Sequence, residues 1–303
     1  MSRAEKLTGS SRKKTAPTVA LPTAKNTPPQ RLEQYHVLLY GVKGIGKTSL
    51  AACFPKSLVF QFEEGRFNLP IYQIPGPCNQ CRGRGCKDCD HTGREPRLTW
   101  ERFLGYVDLL VEQRAKRQWD TIVIDSLDMA VEAAERYICQ PKGLLSATEA
   151  RDYGFTWREV REEVDTQLTE LRLSGYGLLL VSHARLRDVE LKVGGSLTQI
   201  MPTVQQTVLD NYVRPKVDVV IYYGYHGRQR ILTTTGTEQL LASCGPAGHF
   251  RTEDGRPIPA FLAGDSPEEA YRRLLLAWEN KLPEKYVIPA DQLDFGQRQP
   301  DNK

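Results

Sequence analysis

No uninterrupted apolar run in this 303-residue chain approaches the roughly 20 residues that cross a bilayer as a helix, so no membrane span is expected. The opening MSRAEKLTGSSRKK lacks the apolar core of a secretion signal, and a cytoplasmic protein is expected. No internal repeat is visible. Acids are scarce at the start. Residues 1–31 hold seven Lys/Arg against one Glu, a balance of +6, so the remaining residues sum to −2 in a chain of net charge +4. That stretch is rich in Ser, Thr and Pro and cannot bury enough apolar surface to offset its ordering entropy. It reads as a basic disordered arm, serving solubility or a weak contact with a phosphate backbone.

What remains is ample for a core, with 40% hydrophobic residues over the whole chain. Residues 32–285 read as one α/β core and 286–303 as a C-terminal tail. Short apolar runs alternate with helical periodicity: YHVLLYG, SLVFQFEEG at 57–65, WDTIVIDS, GYGLLLVSH at 175–183, then VDVVIYYGY and RQRILTTT joined by a tight turn. Between them, Phe103, Val107 and Leu110 mark one helical stripe, and Trp157, Val160, Val164, Leu168 and Leu171 another. A last helix begins at Ser266 as N-cap with Pro267 behind it and Glu269 placed for a capping box. This alternation predicts a mostly parallel sheet with helices on both faces.

Gly41-Val-Lys-Gly44-Ile45-Gly46-Lys47-Thr48-Ser49, set between a strand and a helix, matches the phosphate-binding pattern G-x-x-x-x-G-K-[ST]. Its glycines let backbone N–H groups curl around phosphate oxygens, the helix start adds partial positive charge, Lys47 reaches the β/γ phosphates, and Thr48 holds Mg²⁺. No N-K-x-D sequence for guanine occurs, Asn280-Lys281 continuing Leu-Pro, and Asp125 is followed by Ser-Leu-Asp rather than a D-x-x-G switch. ATP is therefore the expected nucleotide.

Asp125 closes an apolar strand at the Walker B position and is expected to contact Mg²⁺, or else simply to cap the next helix. Ser126 follows it, where AAA+ machines carry a catalytic Glu, so either a water-activating base comes from elsewhere or hydrolysis is feeble. Glu63 and Glu64 end the second strand, at the sheet edge where ligands of open α/β sheets bind. Either could orient water, or both could be a solvated acidic pair.

The order of phosphate loop, F-E-E strand end, Walker B without an adjacent Glu, and a strand ending in Ser182-His183 resembles the RecA/KaiC superfamily of P-loop NTPases. That resemblance implies Glu63 or Glu64 as catalytic base and His183 as the residue that senses the γ-phosphate; alone, His183 would read as a strand-end histidine. More narrowly, YGVKGIGKT, PKSLVFQFEEG, the S-H strand end and the strand near Asp218 resemble compact ATP-binding proteins of bacteriophages, some of which act in single-strand annealing and recombination. The likeness spans roughly residues 35–280 without the cysteine insertion. It implies a slow or DNA-stimulated ATPase, homo-oligomeric as a ring or filament, acting with replication or recombination proteins in the host cytoplasm. It also places a DNA-facing segment after the sensor strand, where VELKV and SLTQI around Gly194-Gly195 predict a hairpin. Arg185, Arg187 and Lys192 would contact single-stranded DNA. Aromatic stacking platforms are missing from residues 184–211, so a plain surface hairpin is the competing reading. A cation supplied to a neighbouring subunit's site would come from Arg251, with Arg256 behind it.

Seven cysteines occur, and four of them, Cys78, Cys81, Cys86 and Cys89, are spaced C-x2-C-x4-C-x2-C inside a Pro/Gly-rich insertion at 66–98. Two such knuckles offer four thiolates to a structural Zn²⁺; a redox C-x-x-C pair is the alternative, and His91 a spare ligand. The C-x-x-C-x-G-x-G wording resembles the zinc modules of DnaJ. Arg82, Arg84, Lys87, Arg94 and Arg97 surround it, suiting nucleic acid, a partner protein or mere solubility. Cys53, Cys139 and Cys244 read as buried thiols. The expectation is a Mg-ATP hydrolysing, RecA-like ATPase of recombination or annealing. The alternative is a nucleotide-gated interaction protein for a replication or packaging partner. A small-molecule kinase is disfavoured because no Arg-rich lid follows the fourth strand.

Overall fold

A computed structural model describes residues 21, 23–63, 69–78, 80–95, 97–116, 118–190 and 196–293. The arm up to residue 20, Glu64, Lys192, Gly194-Gly195 and the tail from 294 onward lie outside the described residues.

The phosphate loop joins β1 (His36–Gly41) to α1 (Lys47–Ala52). α1 is short because Pro55 disfavours helical backbone at Phe54. β2 (Ser57–Gln61) and β3 (Tyr72–Ile74) follow, then α2 (Trp100–Glu112), whose first turn is capped by Thr99 accepting from the Arg102 N–H. β4 (Thr121–Asp125) leads through Ser126, the N-cap, into α3 (Leu127–Cys139), and α4 (Phe155–Leu173) returns to β5 (Gly177–Glu190). β6 (Ser196–Pro202), the short α5 (Gln206–Val208), β7 (Val219–His226), β8 (Gln229–Thr233), β9 (Ser243–Cys244), β10 (Ala260–Leu262), α6 (Pro267–Trp278) and β11 (Val287–Ile288) complete the chain.

The sheet order is β11-β10-β8-β7-β1-β5-β4-β2-β3, with β6 on β5 and β9 on β7. From β7 to β3 every neighbouring pair is parallel. The other flank, β8, β10 and β11, is antiparallel; β7 and β8 are joined by a tight hairpin, while longer connections join β8 to β10 and β10 to β11. Alternation along each strand builds two cores. Leu38, Tyr40, Phe60, Ile122, Ile124 and Leu180 face α2, α3 and α4; Val37, Leu39, Val59, Val123 and Ile221 face α1 and α6. Burial of both faces is why these strands read as continuous apolar runs.

Three local differences from the sequence reading have physical causes. β3 lies inside the cysteine insertion yet pairs with β2, so that segment starts by extending the sheet. β5 runs seven residues beyond its pairing with β1, to Glu190, because β6 supplies its partners there. At α6 the Glu269 carboxylate accepts from the Asp265 N–H rather than from Ser266, while Ser266 does cap Glu269.

Candidate nucleotide site and cysteine cluster

Parallel strands bring β1, β2, β4 and β5 to one carboxyl edge, and the register aligns Gly41 with His183 and Asp125 with Gln61 and Val181. Only glycine fits at 41, since a Cβ there would lie 1.9 Å from the Tyr223 carbonyl oxygen on β7. The loop turns back through Gly44 at φ +80° and Gly46 at φ +107°, backbone that L side chains rarely adopt. Ile45 is buried beneath the loop in the α1/α6 core, so it can offer a ligand its backbone only.

Lys47 is buried and donates to the carbonyls of Gly41 (2.9 Å) and Val42 (3.0 Å) and to His183 Nδ1 (3.2 Å). Burial lowers the pKa of its ammonium, against the nearby carboxylates of Asp125, Glu63 and Asp128. His183 Nε2 lies 2.8 Å from Glu63 Oε1. A lysine can only donate and a carboxylate only accept, so the His183 ring is placed to accept at Nδ1 and to donate from Nε2. That hydrogen bond leads the causes that hold the Glu63 carboxyl at about 2, opposed by burial and helped by Ser126 and by the electrostatics of His183 and Lys47. Beside them the Thr48 hydroxyl donates to Asp125 Oδ2 at 2.6 Å. Burial raises the Asp125 carboxyl, and the Thr48 hydrogen bond pulls it back. Two oxygen donors this close suit a hard cation such as Mg²⁺.

Five residues singled out from sequence, Lys47, Thr48, Glu63, Asp125 and His183, therefore meet in one place. A sixth participant was not singled out. Asp128, in the first turn of α3, accepts from the Ser182 hydroxyl (3.1 Å), the His183 N–H (3.1 Å) and the Thr203 hydroxyl (2.7 Å). The signal available was a carboxylate three residues past Asp125, but its partners sit 54 to 75 residues away.

Beyond His183, β5 and β6 form a two-stranded ribbon that rises past the sheet, Ala184 opposite Pro202 through Glu190 opposite Ser196. Alternation puts Arg185 and Arg187 on one face with Gln199 and Met201, and Leu186 and Asp188 on the other with Thr198 and Ile200. Arg187 donates to Gln206 Oε1 (2.6 Å), and Asp188 accepts from Thr198 (2.6 Å). Arg251 and Arg256 are not brought to the phosphate loop. They precede β10 on the amino-edge side of the sheet, where Arg251 donates to the Gly255 carbonyl and Arg256 pairs with Asp254 and Glu284. A cavity of about 330 Å³ lined by Thr234, Cys244, His249 and Arg251 also lies at that amino edge, away from the phosphate loop.

The described residues between 77 and 94 fold around the four cysteines, closed by a bridge between Pro77 and Arg94. The sulfurs of Cys78, Cys81, Cys86 and Cys89 all lie within 4.8 Å of one another, and three pairs are 3.7–3.8 Å apart. A tetrahedral Zn²⁺ with bonds of about 2.3 Å requires sulfurs about 3.8 Å apart, so the cluster fits that ion. Backbone N–H groups of Gly85, Cys86 and Gly93 point at the sulfurs. Burial would push the Cys89 thiol up, but donation from Cys86 and Gly93 outweighs it and brings it down to about 6, a thiolate-favouring setting. Packing of Gly93 against Gly83 leaves no room for a Cβ, which would lie 2.4 Å from the Gly83 oxygen. His91 is exposed and outside the ligand set.

Residues 33–243 match AAA_24, described as an AAA domain. The chain belongs to the AAA_24 family. Its strand order and phosphate loop make it an α/β P-loop protein with a mostly parallel sheet. It is 24% identical over 198 residues to an SPbeta prophage-derived uncharacterized protein, YorG, of Bacillus subtilis, a match covering 65% of this chain. The matched part spans about half of that relative, 52% of its length. Among solved structures, a KaiC-like protein from the archaeon Pyrococcus horikoshii OT3 aligns over 70% of this chain and 83% of its own, with 15% identity and a TM-score of 0.37. No helix among the described residues is long and apolar enough to cross a membrane.

Proposed function

We propose that this AAA_24 protein binds Mg-ATP and hydrolyses it, and that it works in DNA recombination or single-strand annealing of the phage type. The observation that carries the ATPase reading is the contact of Lys47 and Glu63 with the two ring nitrogens of His183 beside the Thr48–Asp125 pair. Lys47 would leave the Gly41 and Val42 carbonyls for phosphate oxygens. Thr48 and Asp125 would hold Mg²⁺, which neutralises charge on the phosphates when bound. Glu63, ionised at neutral pH, would accept a hydrogen bond from the attacking water and orient it. His183 would lose the Lys47 proton donor when the phosphate takes Lys47, and so report occupancy at the foot of β5.

The prophage origin of one relative and the two arginines on one ribbon face support the DNA reading. Arg185 and Arg187 would meet phosphates of single-stranded DNA, and Lys192 extends that set in the sequence. Arg251 and Arg256 keep a role only between subunits of an oligomer. The cysteine cluster would hold one structural Zn²⁺.

ATP turnover measured with and without single-stranded DNA tests this reading. Glu63→Gln is expected to keep ATP affinity and lose turnover by a factor on the order of 10² or more. Turnover that survives Glu63→Gln but fails in Glu64→Gln would transfer the role to Glu64. DNA that neither binds nor changes the rate would overturn the recombination reading and leave a nucleotide-gated interaction protein.

A further inference from the structure

We infer that Asp128 is a positioning residue that couples the nucleotide site to the β5–β6 ribbon by clamping both feet of the hairpin. The inference rests on the ATP reading of the site. The ribbon has two feet, His183 on β5 and Thr203 just after β6, joined because the Thr203 N–H donates to the His183 carbonyl at 2.9 Å. Asp128 holds each of them. Its Oδ2 accepts from the His183 N–H, and its Oδ1 accepts from the hydroxyls of Ser182 and Thr203. Three donors on one carboxylate fix the main chain of His183 while its ring stays in contact with Lys47 and Glu63.

The two ends of this strut belong to different machinery. On one side, Lys47 must change partners for a phosphate to bind, and its donation to His183 Nδ1 is then lost. On the other, a ribbon extends beyond the sheet, held by strand pairing, by these feet and, nearer its base, by the Ile200–Leu240 bridge and the Arg187–Gln206 hydrogen bond. Asp128 also stands in the first turn of α3, three residues after Asp125, so the clamp is referenced to the strand that carries the metal ligand. With both feet clamped, a shift of the His183 ring cannot be absorbed by the backbone at the ribbon base and passes to β5 and β6 together. Without the clamp, the ring can move while the ribbon stays put. The coupling therefore needs Asp128 even though Asp128 touches neither Lys47 nor Thr48 in the hydrogen-bond network described above.

Hydrogen exchange of residues 184–190 and 196–203 in the full chain, with and without a slowly hydrolysed ATP analogue and Mg²⁺, tests the clamp. Nucleotide affinity is measured in parallel by titration. In the wild type, nucleotide is expected to change ribbon exchange by at least about fivefold, the low end of an ordinary coupling free energy. Asp128→Ala is expected to bind nucleotide yet lose that response. Asp128→Asn is expected to restore it, because the amide can accept from the His183 N–H while the two hydroxyls rotate to receive its N–H groups. If Asp128→Ala does not fold, Thr203→Val removes the β6 foot alone and is expected to leave residues 196–203 indifferent to nucleotide. A wild type that binds no ATP defeats the ATP reading and the coupling with it. A wild type that binds ATP, beside an Asp128→Ala or Thr203→Val ribbon that still responds, defeats the clamp alone.

Discussion

His183 shows how much one side chain can decide when both of its ring nitrogens are committed. Its Nε2 proton stabilises the Glu63 carboxylate, whose pKa is depressed to about 2. A carboxyl lowered in the folded state adds stability that is complete above its unfolded value and lost as pH falls through the folded one. The stability gap between wild type and Glu63→Gln is therefore expected to be full above about pH 4.5 and to close on acidification toward about pH 2. Urea midpoints of the two proteins across that range check it, and a gap that widens on acidification contradicts it. The identities of Lys47, Thr48 and Asp125 were legible from spacing, because the phosphate loop and the Walker B strand are local patterns. Asp128 was not legible, because its role lies in partners that only the fold brings near.

At the level of elements, the cysteine lobe and the strand ends make opposite demands. The lobe has little apolar core besides its own sulfurs, so its order is expected to depend on a metal. About one zinc per chain is expected by elemental analysis, and Cys81→Ser or a strong chelator is expected to expose the lobe to proteolysis while the sheet persists. A protein without zinc that resists proteolysis equally well would refute this. The sheet needs no metal but tolerates no extra atoms where it is closed by glycine. A Cβ at Gly177, the first residue of β5, would lie 1.8 Å from the Glu33 carbonyl oxygen. Gly177→Ala is thus expected to cost about 1–3 kcal/mol, read from its urea midpoint, although it is remote from the phosphate loop. The strands themselves were readable because both faces are buried. β3 was not, since three residues inside a Pro- and Cys-rich insertion carry no periodicity.

For the whole molecule, ligand binding and folding are one balance. Mg-ATP at about a hundredfold excess over its Kd adds about 2.7 kcal/mol to stability, so it is expected to raise the wild-type Tm. Lys47→Ala is expected to abolish that rise, and an equal rise in both proteins would place the nucleotide elsewhere. The sequence by itself determined the α/β class, the phosphate loop, Asp125, the pair of candidate acids at the end of β2 and the four-cysteine cluster, because each is written in short-range spacing or in apolar runs. Tertiary structure alone decided that β5 lies between β1 and β4, which brings His183 from 136 residues away to Lys47 and from 120 away to Glu63. It alone set Arg251 and Arg256 on the amino-edge side, and tied both feet of the ribbon to Asp128. Strand order is a property of how two apolar faces are covered at once, and no window of sequence carries it.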